Sequence, residues 1–447
     1  MPSMRDWKGN FGGKKITVMG LGLLGRGVGD ARFLAEHGAE LIITDLKTEE
    51  ELAPSVALLK DFPNITYRLG GHDMADFKER DYILKAAGVR EDSPYLAEAR
   101  KNGIPIKMSA SWFAELTGLP IIGVTGTRGK STVTHLIHHI LLTAGIPVLL
   151  GGNVRGVSTL ALLSEAAGDS IAVFELDSWQ CQGFGDSNLS PHIAVFTTLY
   201  PDHMDYYGTM DEYLEDKAKI FLNQKPGDTL VLGLPVVDTI LNAYGSSIRA
   251  HVVVANPAHF PDEWTLKIPG AHNLLNAVCA IEAVRALHVP DEHIRNAIAT
   301  FGGVPGRLEL LGEKNGVKIY NDTTATTPEA TIAALHSIQG GNIILIMGGA
   351  DKGLDMSELA ALLPAYTKRV VLTAGTGSKR LSEQYPDVVE GAKPHDSLES
   401  AFAEALLLAS PGDSILFSPG FASFGMFKNE FDRGDQFNEL FRSLAYE

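Results

Sequence analysis

The sequence predicts an α/β protein of three domains built on mostly parallel sheets. Short β-rich apolar runs alternate with helical patterns along all 447 residues, the rhythm of strand–helix–strand units. That length exceeds one ordinary core. Two stretches break the rhythm: Gly103-Ile104-Pro105, and Gly302-Gly303-Val304-Pro305-Gly306, where Gly and Pro punctuate instead of continuing an element. The expected domains are therefore 1–108, 109–304 and 305–447.

The first domain opens with a strand, Lys15-Ile16-Thr17-Val18-Met19, that runs into Gly20-Leu21-Gly22-Leu23-Leu24-Gly25. A second strand, Leu41-Ile42-Ile43-Thr44, ends at Asp45. Strand, GxGxxG, helix, strand and an acid about 20 residues on make a Rossmann-like pattern. The glycines there let backbone approach a pyrophosphate, and Asp45 can accept from a ribose hydroxyl. A tight turn that binds nothing is the plain alternative.

The second domain carries the strongest signal. The strand Ile121-Ile122-Gly123-Val124 leads into Thr125-Gly126-Thr127-Arg128-Gly129-Lys130-Ser131-Thr132, and a helix follows with Val133, Leu136, Ile137, Ile140 and Leu141 on one face. In such a P-loop-type arrangement successive N–H groups cradle phosphate, Lys130 reaches the outer phosphate oxygens and Ser131 offers a hydroxyl to Mg²⁺. Val124 stands where the strict pattern has glycine, so the loop is a variant. Two further strands point to the same sheet edge. Ile171–Phe174 delivers Glu175, and Ile193–Thr198 delivers the loop Tyr200-Pro201-Asp202-His203-Met204-Asp205. An acid and an imidazole beside a phosphate loop suit a divalent metal, and each alone suits a loop hydrogen bond equally well. His135, His138 and His139 have a metal-compatible helical spacing, but they lie off the apolar stripe and read as a solvated or half-buried face.

Composition bounds the partners. A hydrophobic fraction of 45% with 21% charged residues is that of a globular protein, and no apolar run reaches membrane-spanning length. The net charge of −16 argues against a broad nucleic-acid surface, though local donors can still hold phosphate. Cys181 and Cys279 are the sole cysteines, and Met1-Pro2-Ser3-Met4-Arg5-Asp6-Trp7 lacks a secretory h-region, so a cytoplasmic protein without disulfides is expected.

Taken together and in order, these segments resemble the Mur ligase family, most closely its glutamate-adding branch. Thr125–Thr132 resembles the family's ATP loop, Gly151-Gly152-Asn153 its substrate loop and Glu175-Leu176-Asp177-Ser178-Trp179-Gln180 its E-L-S-S-[FW]-Q. Asp202-His203-Met204-Asp205 matches D-H-[ML]-D, and the segment Tyr213 to Phe221 matches Y-x-x-x-K-x-[RK]-I-[FY], which places the family's carbamylated lysine at Lys217. His272-Asn273-Leu274-Leu275-Asn276-Ala277 resembles H-N-x-x-N-A. Pro305-Gly306-Arg307, Tyr320-Asn321-Asp322, Gly348-Gly349-Ala350-Asp351-Lys352 and Ser418 to Asn429 continue the match to the C-terminus.

The resemblance implies an ATP-dependent amide ligase that adds glutamate to UDP-N-acetylmuramoyl-L-alanine through an acyl phosphate. It also implies a Rossmann-like C-terminal domain and a monomer. The implied catalytic set is Lys130, Glu175, His203 and Lys217. ATP would meet Gly126, Thr127, Arg128, Gly129, Lys130, Ser131, Thr132, Asn276, Arg307, Asn321 and Asp322. The uridine diphosphate substrate would meet Gly22, Leu23, Leu24, Gly25, Asp45, Asn153 and His203. Thr326, Lys352 and Ser423 would form the amino-acid pocket. Two Mg²⁺ ions are implied, one on Ser131 and Glu175, the other on His203 and carbamylated Lys217.

Several positions depart from the family pattern. Thr324 replaces the lysine of N-D-S-K-A-T, Gly306 replaces a histidine, Gly425 an aspartate, Phe421 a Cys or Ala, and Ala86-Ala87-Gly88-Val89 replaces S-P-G-[IV]. The Thr324 change removes a charge-assisted contact from the amino-acid pocket, so the sequence leaves D- against L-glutamate, or another amino acid, open. A nicotinamide-dependent oxidoreductase and a non-catalytic UDP-sugar-binding protein are the readings of a different class.

Overall fold

The computed structural model describes residues 7–23, 25–268, 270–338, 342–389 and 391–444. Leu24, assigned above to the substrate, lies outside the described residues, as does the side chain of Asp205. Three separate sheets carry the chain, each made of strands joined through helices, as the alternation predicts.

The first sheet contains β1 (Lys15–Met19), β2 (Glu40–Asp45), β3 (Ile65–Leu69), β4 (Tyr82–Lys85) and β5 (Ile106–Lys107) in the order β3-β2-β1-β4-β5. All its pairings are parallel. The order reverses at β1, and the Gly-rich turn follows that strand, the place where open parallel sheets bind ligands.

The second sheet contains β6 (Ile121–Thr125), β7 (Val148–Gly152), β8 (Ile171–Glu175), β9 (Ile193–Phe196), β10 (Thr229–Gly233) and β11 (His251–Ala255), ordered β11-β10-β9-β6-β8-β7 and parallel throughout. Its central strands are buried along their whole length, which explains their continuous apolar runs. β9 ends at Phe196, two residues before the sequence suggests, because Thr197 and Thr198 turn their hydroxyls toward the phosphate loop. The helix Lys130–Thr143 packs Val133, Leu136, Ile137, Ile140 and Leu141 inward, the face its periodicity marks. Sheets one and two, with residues 274–299, make up one compact unit.

The second compact unit, residues 266–273 and 300–447, holds the third sheet. Its strands are β12 (Glu309–Lys314), β13 (Val317–Asn321), β14 (Ile343–Met347), β15 (Thr367–Leu372) and β16 (Ser414–Phe417), ordered β12-β13-β16-β14-β15. Only the β12–β13 hairpin at its edge is antiparallel.

Sheet register fixes which strand ends meet. Glu175 pairs with Val124 on one side and with Gly152 on the other. Gly152 has φ +83°, and a Cβ there would lie 2.1 Å from the Glu175 carbonyl oxygen. Asn153 then donates its N–H to that same oxygen at 2.7 Å. Gly152→Ala should destabilise the first unit by roughly 1–3 kcal/mol or more, read as a lowered urea midpoint, whereas Gly168→Ala, with open space around it, should leave the midpoint unchanged.

Candidate active site

The phosphate loop is held by the end of β9. Thr127 N–H donates to the Thr198 carbonyl at 2.8 Å, and Arg128 N–H donates to Thr198 Oγ1 at 2.9 Å. Thr197 Oγ1 donates to the Arg128 carbonyl at 2.6 Å. Gly126 approaches so closely that a Cβ would stand 2.1 Å from Thr197 Oγ1. The loop thus keeps its shape by contacts that leave the start of the helix Lys130–Thr143 to act on an anion through its N–H groups and dipole. Asn276 sits against this loop, its Oδ1 only 2.3 Å from where a Cβ on Gly129 would be. The structure therefore brings Gly126, Thr127, Arg128, Gly129, Lys130 and Asn276 together. Ser131 is buried at the helix start and Thr132 is half-buried beside it.

Two lysines meet on one carbonyl. Lys130 Nζ donates to the carbonyls of Gly126 and Thr127, both at 3.0 Å, and Lys217 Nζ donates to Gly126 at 3.1 Å. Lys217 lies on the helix Met210–Leu222 and is 1% exposed. Burial pulls its pKa from the usual lysine range to about 7, and the neighbouring Lys130 charge pushes the same way. The Tyr213 ring, 4.6 Å from Lys217 Nζ, closes one side of this space. His203 is strained into φ +55°, with its ring 4.6 Å from Trp179 and its Nε2 3.6 Å from the Asp202 carboxylate. Glu175 is buried at the end of β8.

At the Gly-rich turn of the first domain, Asp45 Oδ2 accepts from the N–H groups of Leu21 at 2.9 Å and Gly22 at 3.1 Å, while Oδ1 accepts from Lys47 N–H. Asp45 therefore shapes the turn directly. Gly25 caps the helix Arg26–Glu36, and Leu23 is exposed. Arg26, which the motif reading passes over, donates from Nη1 to Asn153 Oδ1 and so ties the Gly-rich turn to the loop after β7. His135, His138 and His139 are half-buried, and burial lowers the pKa of His138 and His139.

The second unit is described by itself. Lys352 Nζ donates to Thr326 Oγ1 at 3.0 Å. A bridge between Ala350 and Ala422 sets the loop of Lys352 beside the loop of Ser423, which is buried. Arg307 is exposed on its turn. Asn321 is 1% exposed, and its amide is taken up within the unit by Gly434, Asn438 and Thr323. Asp322 accepts from Ser418 Oγ at 2.7 Å and Leu308 N–H at 2.9 Å, and burial raises its pKa to about 7. Asn321 and Asp322 thus brace the unit through these bonds.

Known proteins match this arrangement end to end. The family models for the Mur ligase MurD-like N-terminal domain, the Mur ligase middle domain and the Mur ligase glutamate ligase domain match residues 14–108, 124–254 and 306–421. The UDP-N-acetylmuramoylalanine–D-glutamate ligase of Roseiflexus sp. (strain RS-1) is 38% identical, covering 97% of this chain and 99% of that protein. The chain belongs to the Mur ligase family. The corresponding Borreliella afzelii (strain PKo) ligase, another relative, is 36% identical over 96% of this chain and 98% of its own. Among solved structures, the UDP-N-acetylmuramate–alanine ligase of Thermotoga maritima has a TM-score of 0.62 at 20% identity, covering 96% and 99%, and shares the Mur ligase fold. No helix among the described residues is long and apolar enough to cross a membrane.

The depressed Lys217 pKa has a direct chemical consequence. Only the neutral amine adds CO₂, and raising the pH through about 7 deprotonates Lys217 while ordinary lysines stay charged. At fixed free CO₂, a ¹³C carbamate resonance should grow as the pH rises and be missing from Lys217→Arg.

Proposed function

We propose that this chain joins D-glutamate to UDP-N-acetylmuramoyl-L-alanine, using ATP and releasing ADP and phosphate, as a cytoplasmic step of peptidoglycan precursor synthesis. The observation that carries the reading is the phosphate loop whose Gly126 carbonyl accepts from both Lys130 and the buried Lys217. Relatives at 36–38% identity over nearly the whole chain bear the D-glutamate ligase name and support the choice of substrates.

An amide does not form from a free carboxylate in water without activation. The alanine carboxylate of the UDP-sugar substrate attacks the γ-phosphorus of ATP, ADP leaves, and an acyl phosphate results. The glutamate amine then attacks the acyl carbon, loses a proton, and phosphate departs. Attacking carboxylate and phosphoryl oxygens are both negative, so the site must supply positive charge and aligned N–H groups. Lys130 and the first turn of its helix meet that need. On binding ATP, Lys130 exchanges its loop carbonyls for phosphate oxygens.

The donors suit a hard divalent cation. Ser131 and Glu175 offer a hydroxyl and a buried carboxylate, as Mg²⁺ prefers. His203 and Lys217 suit a second ion only when Lys217 carries a carbamate, because an ammonium repels a cation. A carbamate on Lys217 would offer such an ion a carboxylate-like ligand. Bound Mg²⁺ would offset charge on the phosphoryl oxygens.

Asn276 and Arg307 are assigned to the nucleotide. Gly22, Gly25, Asn153 and Arg26 are assigned to the UDP-sugar, with Asp45 shaping their turn. The division at 108/109 and 304/305 and a monomeric state go with this reading. Phosphate release is expected only when ATP, UDP-N-acetylmuramoyl-L-alanine and D-glutamate are all present, with L-glutamate inactive. Lys130→Ala should lower that rate about 100-fold or more. Release with L-glutamate alone would reassign the amino acid, and release with neither isomer would refute glutamate ligation.

A further inference from the structure

We propose that Arg380 is the second cation of the amino-acid pocket and holds one of the two carboxylates of the incoming dicarboxylic amino acid. The inference rests on the ligase reading above and adds a residue to it. The pocket is a narrow cleft in the second unit, lined by Thr326, Asp351, Lys352, Arg380 and Phe421 among others. The cleft encloses about 170 Å³ including its open mouth.

A dicarboxylic amino acid brings two negative groups, and two separate cations in the cleft would favour it over its amides. Lys352 is one, held to Thr326 Oγ1 at 3.0 Å. Thr324 adds no charge, and its hydroxyl donates to the Gly306 carbonyl at 2.9 Å. Arg433 is not part of the cleft lining; its guanidinium donates to Thr323 and to the Phe421 carbonyl and is 1% exposed. Arg380 is the other cation in the cleft lining. It stands on the helix Thr376–Gln384, whose start is docked on the Gly349 carbonyl through Gly377 N–H at 2.9 Å, in the loop that leads to Lys352.

The partners of Arg380 show what it is built to hold. Its Nε lies 3.1 Å from Asp351 Oδ2, and Nη2 donates to the Leu354 carbonyl. Asp351 Oδ1 in turn accepts from Gly353 N–H at 2.9 Å. The guanidinium therefore faces a carboxylate of the protein itself, on the same loop as Lys352. A substrate carboxylate entering the cleft meets the same guanidinium, and Arg suits a planar carboxylate better than Lys does.

The test uses the full chain with ATP and UDP-N-acetylmuramoyl-L-alanine, comparing D-glutamate with D-glutamine and D-isoglutamine, each of which lacks one carboxylate. For Arg380→Ala, the KM for D-glutamate should rise roughly ten- to a hundredfold, the range of one charge-assisted hydrogen bond, with the KM for ATP within about twofold. Discrimination against one of the two amides should collapse and the other persist, which names the carboxylate held. Arg380→Lys should recover part of the loss, and it serves as the test if the alanine variant does not fold. An unchanged D-glutamate KM, or equal loss for D-glutamate and both amides, overturns the proposal while leaving the ligase intact. A wild-type chain with no amino-acid-dependent phosphate release overturns the ligase reading and this assignment with it.

Discussion

The carbonyl oxygen of Gly126 is the point on which the candidate active site turns. It accepts from Lys130 and Lys217 together, so the two nitrogens lie within about 6 Å of each other. Two unit charges at that separation repel by roughly 3 kcal/mol at an effective dielectric of about 20. Burial of Lys217 adds to the penalty, and the fold resolves it by making one amine easy to neutralise. A lysine with a pKa near 7 keeps a neutral fraction at physiological pH, and that fraction can react with CO₂.

Everything around that oxygen serves to hold the loop while leaving its anion-binding face available. Thr197 and Thr198 fasten it from β9, Asn276 closes against Gly129, and the β6–β8 register sets Glu175 level with the strand that feeds the loop. These contacts come from strands far apart in sequence. They converge because all six strands of the sheet run parallel and end on one edge. The Gly-rich turn of the first sheet repeats the principle with Asp45 in place of the threonines.

Much of this is legible in the sequence. Alternating strands and helices, the two Gly-rich turns and the ordered motifs lead to a three-domain Mur ligase, and the family matches bear that out. Burial and partner choice are less legible. Lys217, flanked by Glu215 and Asp216, looks locally like an exposed helical lysine, and only tertiary packing removes it from water. Asn321 belongs to a motif beside a nucleotide, yet its amide joins β13 to the helix Glu430–Ser443. Arg26 and Arg380 sit in helices with no pattern to set them apart, because what marks them is the loop each one faces. A side chain's partner across a fold leaves no period in the chain.

The central claim is that the phosphoryl group passes to the substrate carboxylate at this loop. It is tested most directly by following oxygen. UDP-N-acetylmuramoyl-L-alanine labelled with ¹⁸O in its terminal carboxylate is turned over with ATP and D-glutamate, and the released phosphate is weighed by mass spectrometry. An acyl phosphate requires one labelled oxygen to appear in each phosphate. Unlabelled phosphate, with one ¹⁸O kept in the amide and the other lost to water, would contradict the account.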